Sequence, residues 1–151
     1  YIRRIYERPH LDSWLSVISE AQFEDSQGTV FLSEKMFKPV ACHHPFIVLG
    51  NRNSLHEMKK LGYQTFSKWI DEGYDTLSDE KRMDAIIESI KQFDKEKNKI
   101  GIYKDMKEVL RHNYNVLEFN ASKKPPYAFD ETDKIFSSGL ADYRKIQKKL
   151  I

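Results

Sequence analysis

Four polar residues between positions 20 and 35 carry the most specific chemistry in this sequence. Glu20 closes the run Ser13-Trp-Leu-Ser-Val-Ile-Ser-Glu20, and Ser33-Glu34-Lys35 opens a run with helical spacing. A helix start offers unpaired N–H groups and partial positive charge, which suit a phosphate. Lys35 adds a full charge there, and Glu20 or Glu34 can accept hydrogen bonds from a ribose diol. In parallel α/β sheets ligands gather beyond the carboxyl ends of strands, where Glu20 falls. That set fits a nucleoside diphosphate. By spacing alone a plainer reading also stands: Ser33 a helix cap, Glu34 a partner of the helix dipole, and Lys35 a solvated side chain.

Other groups point less clearly to chemistry. Asp71-Glu72, with Asp75 close by, resembles a paired-carboxylate site, but proximity in sequence does not set the separation that glycoside cleavage needs. A solvated turn is the competing reading. Adjacent His43 and His44 point apart in regular structure, and His10, His56 and His112 are isolated, so no metal site is expected. Cys42 lacks an acid partner for nucleophilic work and reads as a structural thiol. Neither a glycine-rich dinucleotide fingerprint nor a phosphate-binding P-loop occurs. The tyrosines are too scattered for a nucleic-acid stacking platform.

The elements that must position these groups follow from periodicity. Residues 13–20 suit a buried strand, and Glu24-Asp-Ser-Gln-Gly28 a loop. A helix capped by Ser33 carries Met36, Phe37, Val40 and Ala41, with Pro39 kinking it or ending it early. A second strand spans Phe46–Leu49. Asn53 or Ser54 caps a helix ended by Gly62, and Tyr63–Phe66 is β-prone. Ser78 caps a long helix over Asp79–Lys95 with Met83, Ile86, Ile87, Ile90 and Phe93 on one stripe. Another helix runs from Tyr103 towards Asn113. This order predicts an α/β fold, a three-layer sandwich around a parallel sheet. The domain covers residues 1–120. Residues 121–151, with Lys123-Lys-Pro-Pro126, form a linker and a C-terminal helix or tail.

Composition bounds the rest. The 151 residues are 40% hydrophobic, enough for one domain with a core. Lysine and arginine number 25 against 23 acidic residues, so the chain as a whole is no polyanion coat. Basic residues gather at both ends (Arg3, Arg4, Arg8; Arg144, Lys145, Lys148, Lys149). No apolar run approaches the roughly 20 residues of a membrane span. One cysteine excludes an internal disulfide. With no signal-peptide pattern, the expected location is cytoplasmic. A chain opening on Tyr1 is read as part of something longer.

Three segments carry a family resemblance. Leu15-Ser-Val-Ile-Ser-Glu20, then Phe31-Leu-Ser-Glu-Lys-Met-Phe-Lys-Pro-Val40, then His44-Pro-Phe-Ile-Val-Leu-Gly50 resemble the C-terminal, donor-binding lobe of GT-B glycosyltransferases. The fucosyltransferase-like and exostosin-like groups of bacterial or phage type are the nearest. The resemblance spans roughly residues 13–118 and implies a single Rossmann-like lobe that binds a nucleotide sugar. In that family pattern Glu20 and Glu34 hold ribose or sugar hydroxyls, Ser33 lies by the phosphates, and Lys35 neutralises the diphosphate leaving group. Asp71 and Glu72 would edge the cleft. Such a site implies neither metal nor cofactor, and an acceptor held by an N-terminal lobe that this segment does not include. Pro39 and the His43-His44 pair depart from the fucosyltransferase pattern, so no sugar is implied. The alternative is a Rossmann-like module without catalysis that binds protein through its helical faces or basic ends.

Overall fold

The computed structural model describes residues 8–25 and 28–122. Helix α1 (Arg8–Leu11) precedes strand β1 (Ser16–Ser19). A loop then leads to a 3₁₀ turn at Glu34–Met36, helix α2 (Phe37–Ala41) and strand β2 (Phe46–Leu49). The strands pair in parallel, with Ser16 opposite Phe46 and Ser19 opposite Leu49. Phe46, Ile47 and Val48 are all buried, which is why this strand reads as a continuous apolar run. Helices α3 (Ser54–Lys60), α4 (Asp79–Lys95) and α5 (Lys99–Ser122) follow, with a second 3₁₀ turn at Gly73–Thr76. α5 packs on α2, and α4 packs on β2 and on that second turn.

The fold is therefore α/β around a two-stranded parallel sheet. Tyr63–Phe66, β-prone in sequence, forms no strand because side chains take the place of a neighbouring strand. Asn113 accepts from the Gln64 N–H and donates to the Gln64 carbonyl, both at 2.8 Å. Glu72 accepts from the Phe66 N–H at 2.6 Å. Both backbone requirements are met without a ladder.

The two long helices bury faces with the same spacing. In α4 these are Arg82, Ile86, Ser89 and Phe93; in α5 they are Met106, Leu110, Asn113 and Leu117. The α4 stripe is rotated from the expected one, leaving Met83 and Ile87 38% and 41% exposed. Arg82 and Ser89 take the buried places because loop carbonyls await them: Ser89 donates to the Asp71 carbonyl at 2.8 Å.

Helix ends mostly follow the sequence signals. Pro39 sits in the first turn of α2, where its missing N–H is harmless, and the helix stops two residues later. Gly62, at φ +92°, turns the chain out of α3. α5 is longer than expected at both ends. The tail expected beyond it, including Lys123–Pro126, lies outside the described residues. Among the described residues no helix is long and apolar enough to cross a membrane.

Candidate functional site

Glu20 leaves the end of β1, its N–H still bonded to the Leu49 carbonyl at 2.9 Å. Its side chain is buried and bonded at both oxygens. One carboxylate oxygen accepts from the Ser33 N–H at 3.0 Å, the other from the Ser33 hydroxyl at 2.6 Å. The Ser33 oxygen in turn accepts from the Lys35 N–H at 3.3 Å. Glu20 thus acts as a strut that fixes Ser33, with one acceptor site of each oxygen taken. Gly50 permits this arrangement. A Cβ there would lie 3.3 Å from the Glu20 Cβ and 3.2 Å from the Ser54 hydroxyl.

The loop between Glu20 and Ser33 is held by residues the sequence reading passed over. Buried Asn51 accepts from the Phe31 N–H at 3.1 Å and donates to the Glu24 carbonyl at 2.7 Å. Arg52 pairs with Asp25 at 2.9 Å. Arg82 reaches the Phe23 carbonyl from α4. Asn51 follows a strand and a glycine, so its sequence context signals only a turn.

From this fixed end the Lys35 ammonium turns back to the Ser19 carbonyl at 3.1 Å. There it lines a groove of about 280 Å³ along β1, shared with Lys38, His10, Ser13, Ser16 and Ser19. Among the described residues no carboxylate lines the groove. Two cations and three hydroxyls make a surface that attracts phosphate oxygens. The helix dipole contributes little, because Ser33 opens a three-residue 3₁₀ turn followed by a five-residue helix.

Beneath the groove a chain of neutral groups has one consistent polarity. His44 Nε2 lies 2.9 Å from the Ser13 carbonyl, so it carries the proton. Its Nδ1 then accepts from the Ser16 hydroxyl at 3.0 Å, and Ser16 Oγ accepts from His10 Nδ1, also at 3.0 Å. Burial holds both rings below their ordinary value of 6.5; for His10 the charges of His44 and Lys38 add to the effect. His43, on the other side of the His pair, is lowered by burial and then by Arg111.

These three shifts share a sign. A histidine whose folded value is depressed binds fewer protons folded than unfolded, so its contribution is complete above about pH 6.5 and fades as pH falls below it. Glu72 and Asp75, both raised by burial, act in the opposite sense, and from a lower starting pH. A lower melting temperature at pH 5.5 than at 7.5 is expected by calorimetry. Replacing His44 by asparagine should narrow the gap, and an unchanged gap would remove His44 from the cause.

The other expected residues lie elsewhere. Glu34 is half-buried, bonds to no side chain among the described residues and does not line the groove. Asp71 is exposed and accepts from the Gly73 N–H at 2.9 Å, a local turn contact. Glu72 lines a separate cavity of about 320 Å³ with Asp75, Lys59 and His56. It is no solvated turn residue: it accepts from the Thr65 hydroxyl at 2.7 Å and from the Phe66 N–H. The structure brings together Glu20, Ser33 and Lys35, and adds Lys38 and His10. Glu72 is not part of that groove.

Among the described residues no three His, Cys, Asp or Glu side chains are placed to hold a metal ion. Comparison of the chain with protein-family models, curated proteins and solved structures gives no match.

Proposed function

We propose that this domain is the Rossmann-like, nucleotide-sugar-binding lobe of a GT-B glycosyltransferase, with the diphosphate of the donor lying along the β1 groove. The observation that carries the reading is the Lys35 ammonium, anchored at the end of β1 beside Lys38 in a groove that no carboxylate among the described residues lines. When a nucleoside diphosphate leaves a sugar, negative charge builds on its oxygens. A cation already in place stabilises that charge most in the transition state. Ser33 and Glu20 act by holding the residue 33–35 turn in register with β1.

The groove falls just short of the roughly 300–1,000 Å³ that encloses a small ligand. A nucleotide sugar therefore overhangs it, and transfer requires a second lobe to close over the donor and present the acceptor.

Calorimetric titration with GDP, UDP and ADP tests the reading. Binding of at least one is expected, with affinity reduced about tenfold or more in Lys35→Ala, the loss of one charge-assisted hydrogen bond. The melting temperature should change little, because the one hydrogen bond lost, to the Ser19 carbonyl, is exposed. On binding, the His10 titration seen by NMR should move up, since an adjacent anion favours imidazolium. No binding by a folded sample at millimolar nucleotide, or equal affinity in Lys35→Ala, would overturn it.

A further inference from the structure

A second groove, of about 610 Å³, lies at the opposite ends of the strands. Trp14 precedes β1 and His43 precedes β2, and both line it against α5. Its chemistry differs from that of the β1 groove. Trp14, Ile100, Tyr103 and Leu110 form an apolar floor, with Trp14 46% and Ile100 61% exposed. Lys104, Lys107 and Arg111 form the rim, and among the described residues no carboxylate lines it.

The helix sets the pattern. Residues 104, 107 and 111 recur at helical spacing and make one cationic row about 10 Å long. Ile100, Tyr103 and Leu110 make an apolar row beside it. Exposed Lys104 and Lys107 have no carboxylate partner among the described residues, whereas Arg111 pairs with Glu108 at 3.2 Å. At the edge, His43 holds a left-handed backbone, φ +50°, with its ring stacked on Tyr114 at 4.5 Å. Such a conformation in a residue with a Cβ is strained and tends to mark sites where the backbone serves a function.

We infer that this groove docks an acidic, amphipathic segment of a partner protein, which lays apolar side chains on Trp14, Ile100 and Tyr103 and carboxylates on Lys104, Lys107 and Arg111. Three arguments select that occupant. Exposed indole and isoleucine in one concavity need an apolar partner. Lys104 and Lys107, without a carboxylate partner among the described residues, need a negative one. A polyhydroxyl ligand needs side-chain acceptors as well as donors, and among the described residues the floor supplies no Asp, Glu, Asn or Gln. Parallel apolar and charged rows at helical spacing match the helix-in-groove mode of recognition.

The test titrates the ¹⁵N-labelled chain with a synthetic amphipathic peptide bearing Leu at positions 1, 4 and 8 and Glu at the flanking positions. Shifts of the Trp14 indole signal and of the α5 amides are expected, weakening as salt rises. Binding should fall at least tenfold in a Lys104→Glu/Lys107→Glu variant that keeps its melting temperature. An Ile100→Ser variant should lose affinity with unchanged salt dependence. Equal binding of a lysine-bearing peptide of the same pattern would overturn the inference. So would undiminished affinity in the charge-reversal variant, preference for a polyglucuronate oligosaccharide or an anionic vesicle, or self-association of the chain through this groove in sedimentation.

Discussion

Arg82→Ala is expected to destabilise the domain by about 3–5 kcal/mol, the range for removing one partner from a buried charged network. The guanidinium is 1% exposed. It donates to the Leu77 carbonyl at 2.9 Å, to Asp79 at 2.7 Å, and to the Phe23 carbonyl. It also lies 4.4 Å from the centroid of the Phe23 ring, a cation–π contact. Its Nε has no partner among the described residues, so the group already carries a desolvation penalty that its other bonds offset. Alanine would leave two carbonyls without donors and a void beneath the loop. Thermal unfolding should show a melting temperature lower by roughly 10–20 °C. Arg82→Met, which restores volume but not donors, should recover part of the loss. A loss below about 1 kcal/mol in Arg82→Ala would mean that water replaces these bonds. Because Phe23 lies in the loop that joins Glu20 to Ser33, that loop should also exchange its amides faster in the variant.

Arg82 shows where the sequence was legible and where it was not. The second strand and the α4 boundaries coincide with their predicted residues, since an unbroken apolar run and a Ser-Asp-Glu start are local signals. Ser33 is the cap it was expected to be. The buried face of α4 was misjudged because hydropathy ranks Met83 and Ile87 above Arg82 and Ser89. In the fold, loop carbonyls at Phe23 and Asp71 reward donors at those two places. Tyr63–Phe66 reads as a strand locally, yet Asn113, some fifty residues on, supplies its hydrogen bonds. The candidate site divides in the same way. Lys35 could be singled out from a three-residue pattern. Lys38, His10 and the serines of β1 join it only because the strand, α1 and α2 meet along one groove. Glu20 stands out in the sequence as a strand-end acid, but its bonds to Ser33 through both oxygens become legible only in the fold.

Asp75 carries this lesson to its largest remaining effect. The start of α3 was expected to be capped by Asn53 or Ser54, both good local candidates. Neither does so: Asn53 takes a left-handed backbone, φ +66°, with no side-chain cap bond, and the Ser54 hydroxyl donates to the Asn51 carbonyl at 2.6 Å. The cap comes from the 3₁₀ turn some twenty residues later. Asp75 accepts from the Leu55 N–H at 2.9 Å and the His56 N–H at 3.1 Å, and its own carbonyl accepts from the Asn53 N–H at 2.7 Å. Asp75→Ala is therefore expected to cost about 2–3 kcal/mol, more than an exposed cap, because two amides lose their acceptor in a largely buried place. Asparagine should rescue little, since its NH₂ would face an N–H donor. Titration separates this role from simple packing. Burial raises the Asp75 carboxyl above its ordinary 3.8, so folding binds its proton more tightly than the unfolded chain does. The stability tied to that proton is present at low pH and fades as pH rises through the raised value. Asp75→Asn should remove this part of the pH dependence while the Glu72 part, of the same sign, persists. An unaltered stability–pH profile in Asp75→Asn would show that the bracket joining the 3₁₀ turn to α3 does not depend on the carboxylate.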